Sequence, residues 1–215
     1  MSIFVLQVLL GIMFLTIISL HLIETNFGTV IAYVIQSVII TLLLLNSFFE
    51  TNNFSLLIVV LLTLIVKVIL ATVFFTGLIK RLSLNFSVSN YLSMPLTLIV
   101  IAVITLLAHS NYLSALTNII PAQHSLLALS LAAIFMAMFL IVNRKDALFQ
   151  AIGVLSLENG IVAFAIFAGL EQSPVLQIGI IFDILIWLVI ATVFIRMIYQ
   201  HFGSLDTSLM KHLKD

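Results

Sequence analysis

Long apolar stretches follow one another from the first residue to about residue 199, each closed by a short polar break. The breaks fall at His21 to Gly28, Glu50 to Phe54, Lys80 to Asn90, His109 to Gln123, Asn143 to Asp146 and Glu171 to Pro174. A helix of about 20 apolar residues crosses the hydrocarbon core of a bilayer, whereas barrel strands alternate over about ten residues. These runs are longer than that and apolar all round, and helices satisfy their own backbone in lipid. The pattern predicts an all-α fold, a polytopic transmembrane helix bundle. Six breaks predict seven spans, at about 2–22, 29–49, 55–79, 91–108, 123–142, 147–170 and 175–199. The third is long and expected to tilt.

Composition removes the soluble alternatives. The 215 residues are 63% hydrophobic and 7% charged, against roughly 25% charged in an ordinary soluble domain. The formal net charge is zero and no basic run is long enough to suggest nucleic acid as a partner, so the bilayer is the expected surroundings. Without cysteine the chain offers no disulfide, iron-sulfur ligation or thiol chemistry. The first apolar stretch lacks a basic leader region and is expected to be a retained span. Residues 1–215 are expected to form a single integral membrane domain.

Basic residues favour the cytoplasmic side of short loops. Lys80, Arg81, Arg144, Lys145, Lys211 and Lys214 all fall on one side of a seven-span arrangement, and Glu50 and Glu171 mark the other. The expectation is an N-terminus outside and a cytoplasmic C-terminus, with residues 201–215 as a cytoplasmic tail. From Leu205 onward that tail is expected to be short and amphipathic or extended.

Three ionisable side chains interrupt the apolar spans. An ionised group at the bilayer centre costs about 2.5 to 3.5 kcal/mol on insertion scales, so each needs a protein-lined or watery partner. Lys67 lies mid-way along the third span, thirteen residues from Lys80. That is about 20 Å at 1.5 Å per residue, too deep for its ammonium to reach the interface. Glu158 lies mid-way along the sixth span and Asp183 in the outer half of the seventh. Two readings are open for this set: a fixed ion pair of Lys67 with Glu158 or Asp183 that sets helix register, or a proton or ion relay.

Gly153, Ser156, Gly160 and Ala163 recur every three or four residues beside Glu158 and would let a neighbouring helix approach closely. Thr29, Tyr33, Gln36, Ser37 and Thr41 make a polar stripe on the second span, suited to water or to helix packing. The histidines His21, His109, His124, His201 and His212 sit at span ends or in loops, with no pair at helical metal-binding spacing, so no metal is assigned. No phosphate loop, nucleophile elbow or zinc-protease motif occurs, and no catalytic residue is assigned. Interrupted helices and paired repeats, the marks of a self-sufficient transporter, are also not evident.

The run Asn143-Arg144-Lys145-Asp146-Ala147-Leu148-Phe149-Gln150-Ala151-Ile152-Gly153, followed by Leu157-Glu158-Asn159-Gly160, resembles the hydrogenase-4 component E family. The likeness continues in Ile178-Gly179-Ile180 with Asp183 and in His201-Phe202-Gly203-Ser204-Leu205-Asp206, and earlier in Gln36-Ser37 and Thr63 to Ile69. That family is related in its last three spans to the K subunit of complex I and the C subunit of Mrp-type sodium/proton antiporters. The resemblance divides the chain into four N-terminal spans within residues 1–110 and three K-subunit-like spans within 122–200. When Gly153 and Asn159 are aligned with the K-subunit glycine and asparagine, Leu155 occupies the usual glutamate position and Glu158 stands one turn further on. Three residues turn a helix by about 300° and advance it about 4.5 Å, so Glu158 keeps nearly the same face.

The resemblance implies a subunit of a membrane-bound group 4 nickel-iron hydrogenase or formate hydrogenlyase-like complex in a prokaryotic cytoplasmic (inner) membrane. Antiporter-like membrane subunits and a hydrogenase- or complex I-like redox module are the implied partners. The nickel-iron centre and iron-sulfur clusters would belong to those partners, and this chain would hold no cofactor. Glu158, Lys67 and Asp183 are the candidate relay, Asn159, Gln36 and Gln150 its supporting polar groups, and Arg144 and Lys145 the cytoplasmic basic loop.

Overall fold

A computed structural model describes residues 2–84, 90–170 and 174–212. Glu171, Lys214 and the side chain of Lys211 lie outside the described residues. Among those described, every named element is helical. The long helices are α1 (Ile3–Leu22), α2 (Asn26–Thr51), α3 (Phe54–Arg81), α4 (Met94–Ala108), α5 (His124–Asn143), α6 (Ala147–Phe167) and α7 (Pro174–Phe202). Six are long and apolar enough to cross a membrane; α4 reaches that length only together with Asn111–Thr117, from which a 55° bend separates it. The expected span at 91–108 is therefore a bent helix pair, which makes either a broken span or a re-entrant loop. Its polar hinge is built in, because the Ser110 hydroxyl donates to the Leu107 carbonyl at 2.6 Å and satisfies one of the last acceptors of α4.

Local chemistry sets the other ends. Asp146 caps α6, its Oδ1 accepting from Leu148 N at 2.8 Å and Phe149 N at 3.4 Å. Gly169 closes α6 and Gly203 closes α7 in left-handed conformations, φ 71° and 65°, that a side chain would strain. The expected third span runs two residues further than 55–79 and carries a π-helical stretch, Leu64–Leu70, that the pattern of apolar residues did not announce.

α2 and α6 are the most enclosed helices, with 61% of each one's best apolar window buried, against 22% for α1 and 28% near α7. α5 packs most closely on α6. A Cβ on Gly153 would lie 2.8 Å from Ile141 Cγ1, and one on Gly160 would lie 3.2 Å from the Ile134 backbone nitrogen. The small-residue face of α6 is thus filled by two isoleucines one heptad apart. The outer surface is apolar in the same measure: Leu106, Val142, Val73 and Phe182 are among the most exposed side chains. In water such a surface would associate, and in a bilayer it meets its own kind.

One end of the bundle is tied together by backbone bonds. Asn90 pairs with Arg144, and Asp146 with Asp206, in isolated antiparallel bridges. Ala147 N donates to Leu205 O at 3.1 Å, and Thr207 N donates to Lys145 O at 2.9 Å. The start of the tail is fastened to the α5–α6 corner, and Thr207–His212 form 3-10 turns.

Candidate functional site

The centre of the bundle holds a lysine, a glutamate, an asparagine and a serine from three helices. Lys67 Nζ stands 3.0 Å from Glu158 Oε1 and donates to Asn159 Oδ1 at 2.9 Å. Asn159 Nδ2 in turn donates to Ser37 Oγ at 3.4 Å. α3, α6 and α2 are pinned to one another through these contacts. Lys67, Asn159 and Ser37 are fully enclosed, whereas the Glu158 side chain keeps 20% of its surface open. The pair is asymmetric, with its cation sealed in and its acid reachable.

The π-helical stretch explains how Lys67 arrives there. Thr63, Lys67, Ala71 and Phe75 are all buried, and they recur every four residues. On an α-helix at 3.6 residues per turn that spacing drifts by about 40° per step, or about 120° over three steps. The wider π turn takes up part of the drift and keeps these residues on the inner face.

Around the pair lie further buried polar groups. Both amide atoms of Gln36 and the Ser156 hydroxyl have no hydrogen-bond partner among the described residues. Tyr33 and Thr41 complete the α2 stripe on the buried side. Buried polar groups are satisfied almost without exception, by protein or by ordered water.

Glu158 opens onto a cavity of about 150 Å³ between α6 and α7, which Asp183 also lines. A second cavity of about 370 Å³, lined by Gln150 and Thr207, shares Val154, Trp187 and Ile190 with the first. The two cavities therefore lie next to each other along α6 and α7, one beside Glu158 and the other beside Gln150 at the tied end. Both are mostly apolar, and the indole nitrogen of Trp187 is a buried donor without a partner among the described residues. Asp183 is exposed at the edge of the smaller cavity.

No family model, no curated protein and no solved structure matches the chain. Its chemistry is read from this geometry and its own sequence.

The geometry brings Lys67, Glu158 and Asn159 into direct contact and places Asp183 across a cavity from Glu158. Gln36 is buried next to Ser37 in the sequence and makes no hydrogen bond to the pair. Gln150 lies at the tied end, where its Nε2 donates to Arg144 O at 2.7 Å and to Thr207 Oγ1 at 3.4 Å. Arg144 is itself buried. Its guanidinium donates to Leu20 O and Ile23 O, both at 2.6 Å, and lies 4.1 Å over the Phe149 ring. Burial pushes its pKa down to about 10, opposed by the charges of Asp146 and Glu24, so it remains cationic at neutral pH. A cation on the last carbonyls of α1 suits the negative end of that helix. Lys145 lies 5.2 Å from the Tyr91 ring.

His21 is a buried polar group that its place at a span end did not advertise. Its Nε2 lies 3.2 Å from Met136 O, and its ring stacks on Phe139 at 5.1 Å. Among the described residues no group of three His, Asp or Glu side chains is arranged to hold a metal ion.

Proposed function

We propose that this chain is a membrane subunit of a respiratory hydrogenase or formate hydrogenlyase-like complex and contributes a proton path coupled to electron transfer. The observation that carries the reading is the buried Lys67–Glu158 pair with Asn159 as a second acceptor for the ammonium. The membrane is the prokaryotic cytoplasmic one, the C-terminus and the tied basic end face the cytoplasm, and the N-terminus lies outside. The partners follow from the resemblance of residues 143–160 and 201–206 to hydrogenase-4 component E: antiporter-like membrane subunits and a redox module that holds the nickel-iron and iron-sulfur centres.

Two forces compete over the Glu158 proton. Removal from water disfavours the carboxylate, and the Lys67 ammonium 3.0 Å away favours it. A small displacement of Lys67 away from Glu158 tips that balance, and Asn159 Oδ1 remains an acceptor for the ammonium. Glu158 takes a proton when Lys67 withdraws and releases it when Lys67 returns. The neighbouring cavities along α6 and α7 give the proton a way to the tied end, and Asp183 across the smaller cavity gives it a way to the lateral surface. Ordered water bound to Gln36, Ser156 and Trp187 would carry it between groups too far apart for direct transfer.

The fixed hydrogen bonds from Lys67 through Asn159 to Ser37 favour a second reading, a purely structural membrane subunit whose buried charges lock three helices together. Under it, size-matched neutral substitutions disturb assembly; under the relay reading they disturb coupling in an assembled complex. The membership claim is tested by purifying the tagged chain in mild detergent and identifying what stays bound by mass spectrometry. Antiporter-like subunits with a hydrogenase-like large subunit and iron-sulfur proteins are expected. Recovery of the chain alone contradicts the proposal.

A further inference from the structure

Away from the Lys67–Glu158 site, α3 and α7 leave a groove between their last turns. It encloses about 680 Å³ and is lined by Val73, Phe74, Gly77, Arg81, Thr192 and Arg196, among others. Gly77 opens its floor, because a Cβ built there meets nothing within 4 Å. Two guanidinium groups stand at the groove and no Asp or Glu lines it. Among the described residues the side chains of Arg81 and Arg196 have no hydrogen bond or ion pair.

Position along the helices separates charge from apolar wall. Arg81 is the last residue of α3, and Arg196 stands six residues, or about 9 Å, before the end of α7. Both stand toward the end of the bundle that carries Arg144 and Lys145, the end that the basic loops predict to meet the headgroups. Val73 lies eight residues before Arg81, about 12 Å deeper, with Phe74 and Gly77 between them. A cationic rim over an apolar trough, between two spanning helices, matches a molecule with an anionic head and long hydrocarbon chains. Guanidinium forks bind phosphate oxygens in pairs, and basic clefts between spans at the membrane surface select anionic headgroups.

We infer that this groove binds one anionic diacyl phospholipid, with its phosphate between Arg81 and Arg196 and an acyl chain laid along Val73, Phe74 and Gly77. Inorganic phosphate shares the head chemistry but leaves the trough unfilled. A spanning helix of another subunit would fill the trough, and would have to bring an acid to meet both arginines.

The test uses the purified full-length chain with defined lipids added back, read by native mass spectrometry. One phosphatidylglycerol is expected to remain bound, with a preference over phosphatidylcholine of roughly tenfold for two arginines. Arg81→Gln with Arg196→Gln should abolish the preference. Gly77→Phe, which fills open space, should abolish retention while the helical content and melting temperature stay at their native values. Equal retention of the two lipids, retention unchanged in Gly77→Phe, or displacement of the lipid by inorganic phosphate overturns the proposal. Where Gly77→Phe does not fold, a photo-reactive residue at Phe74 in the native membrane decides: a lipid adduct supports the site, and a protein adduct overturns it.

Discussion

A lysine and a glutamate in otherwise apolar spans were legible because any charge at that depth stands out against its surroundings. They are 91 residues apart in the chain, which left Glu158 and Asp183 both open as partners of Lys67, and the 3.0 Å contact singles out Glu158. Asn159 and Ser37 were legible as polar residues but not as the link that carries Lys67 to α2. Arg144 shows the converse. A basic residue at a span end looks like a topology signal, yet its guanidinium caps carbonyls at Leu20 and Ile23, more than 120 positions earlier. The central pair makes a specific stability prediction. Glu158→Gln and Lys67→Met each leave a charge or a polar group without its counterpart, and each should destabilise the protein by about 3–5 kcal/mol if the remaining charge stays buried. The double variant removes both charges and should recover most of that loss, giving a large coupling energy in a double-mutant cycle measured by unfolding in detergent. Additive losses would show that the two side chains do not depend on each other.

At the scale of the helix, apolar length located the spans, and the short punctuating residues placed most of their ends. Asp146, Gly169 and Gly203 act through capping and left-handed turns that depend on local sequence alone. The bend after α4 and the π stretch in α3 were not legible. A polar pair such as His109-Ser110 suits a loop as well as a hinge, and a four-residue spacing of buried positions becomes visible only once the inner face is known. The glycine face of α6 was legible as a close-contact surface, although not which helix it meets. That contact is testable by contrast. Gly160→Val pushes into the Ile134 backbone and should cost about 1–3 kcal/mol, seen as a lower melting temperature in detergent. Gly77→Ala, facing open space, should leave the melting temperature unchanged or raise it. Equal effects at the two glycines would contradict the packing of α5 on α6.

Across the whole molecule, the most enclosed helices, α2 and α6, are also those that supply Ser37, Asn159 and Glu158. Lys67, Asn159 and Ser37 are therefore enclosed by protein, and α7 leaves a cavity beside Glu158. The same bundle has a rigid end, where Arg144, Asp146 and the start of the tail are interlocked. A sealed cation, a reachable acid and a cavity beside that acid form an arrangement in which charge can move while the frame stays in place. The direct test compares protons moved per electron pair in membrane vesicles that carry the assembled complex, native against Glu158→Gln, with subunit composition verified in both. For the fraction of the proposed complex that assembles, the account predicts a proton yield that falls severalfold in the variant. An assembled variant with native proton yield and native turnover would contradict it.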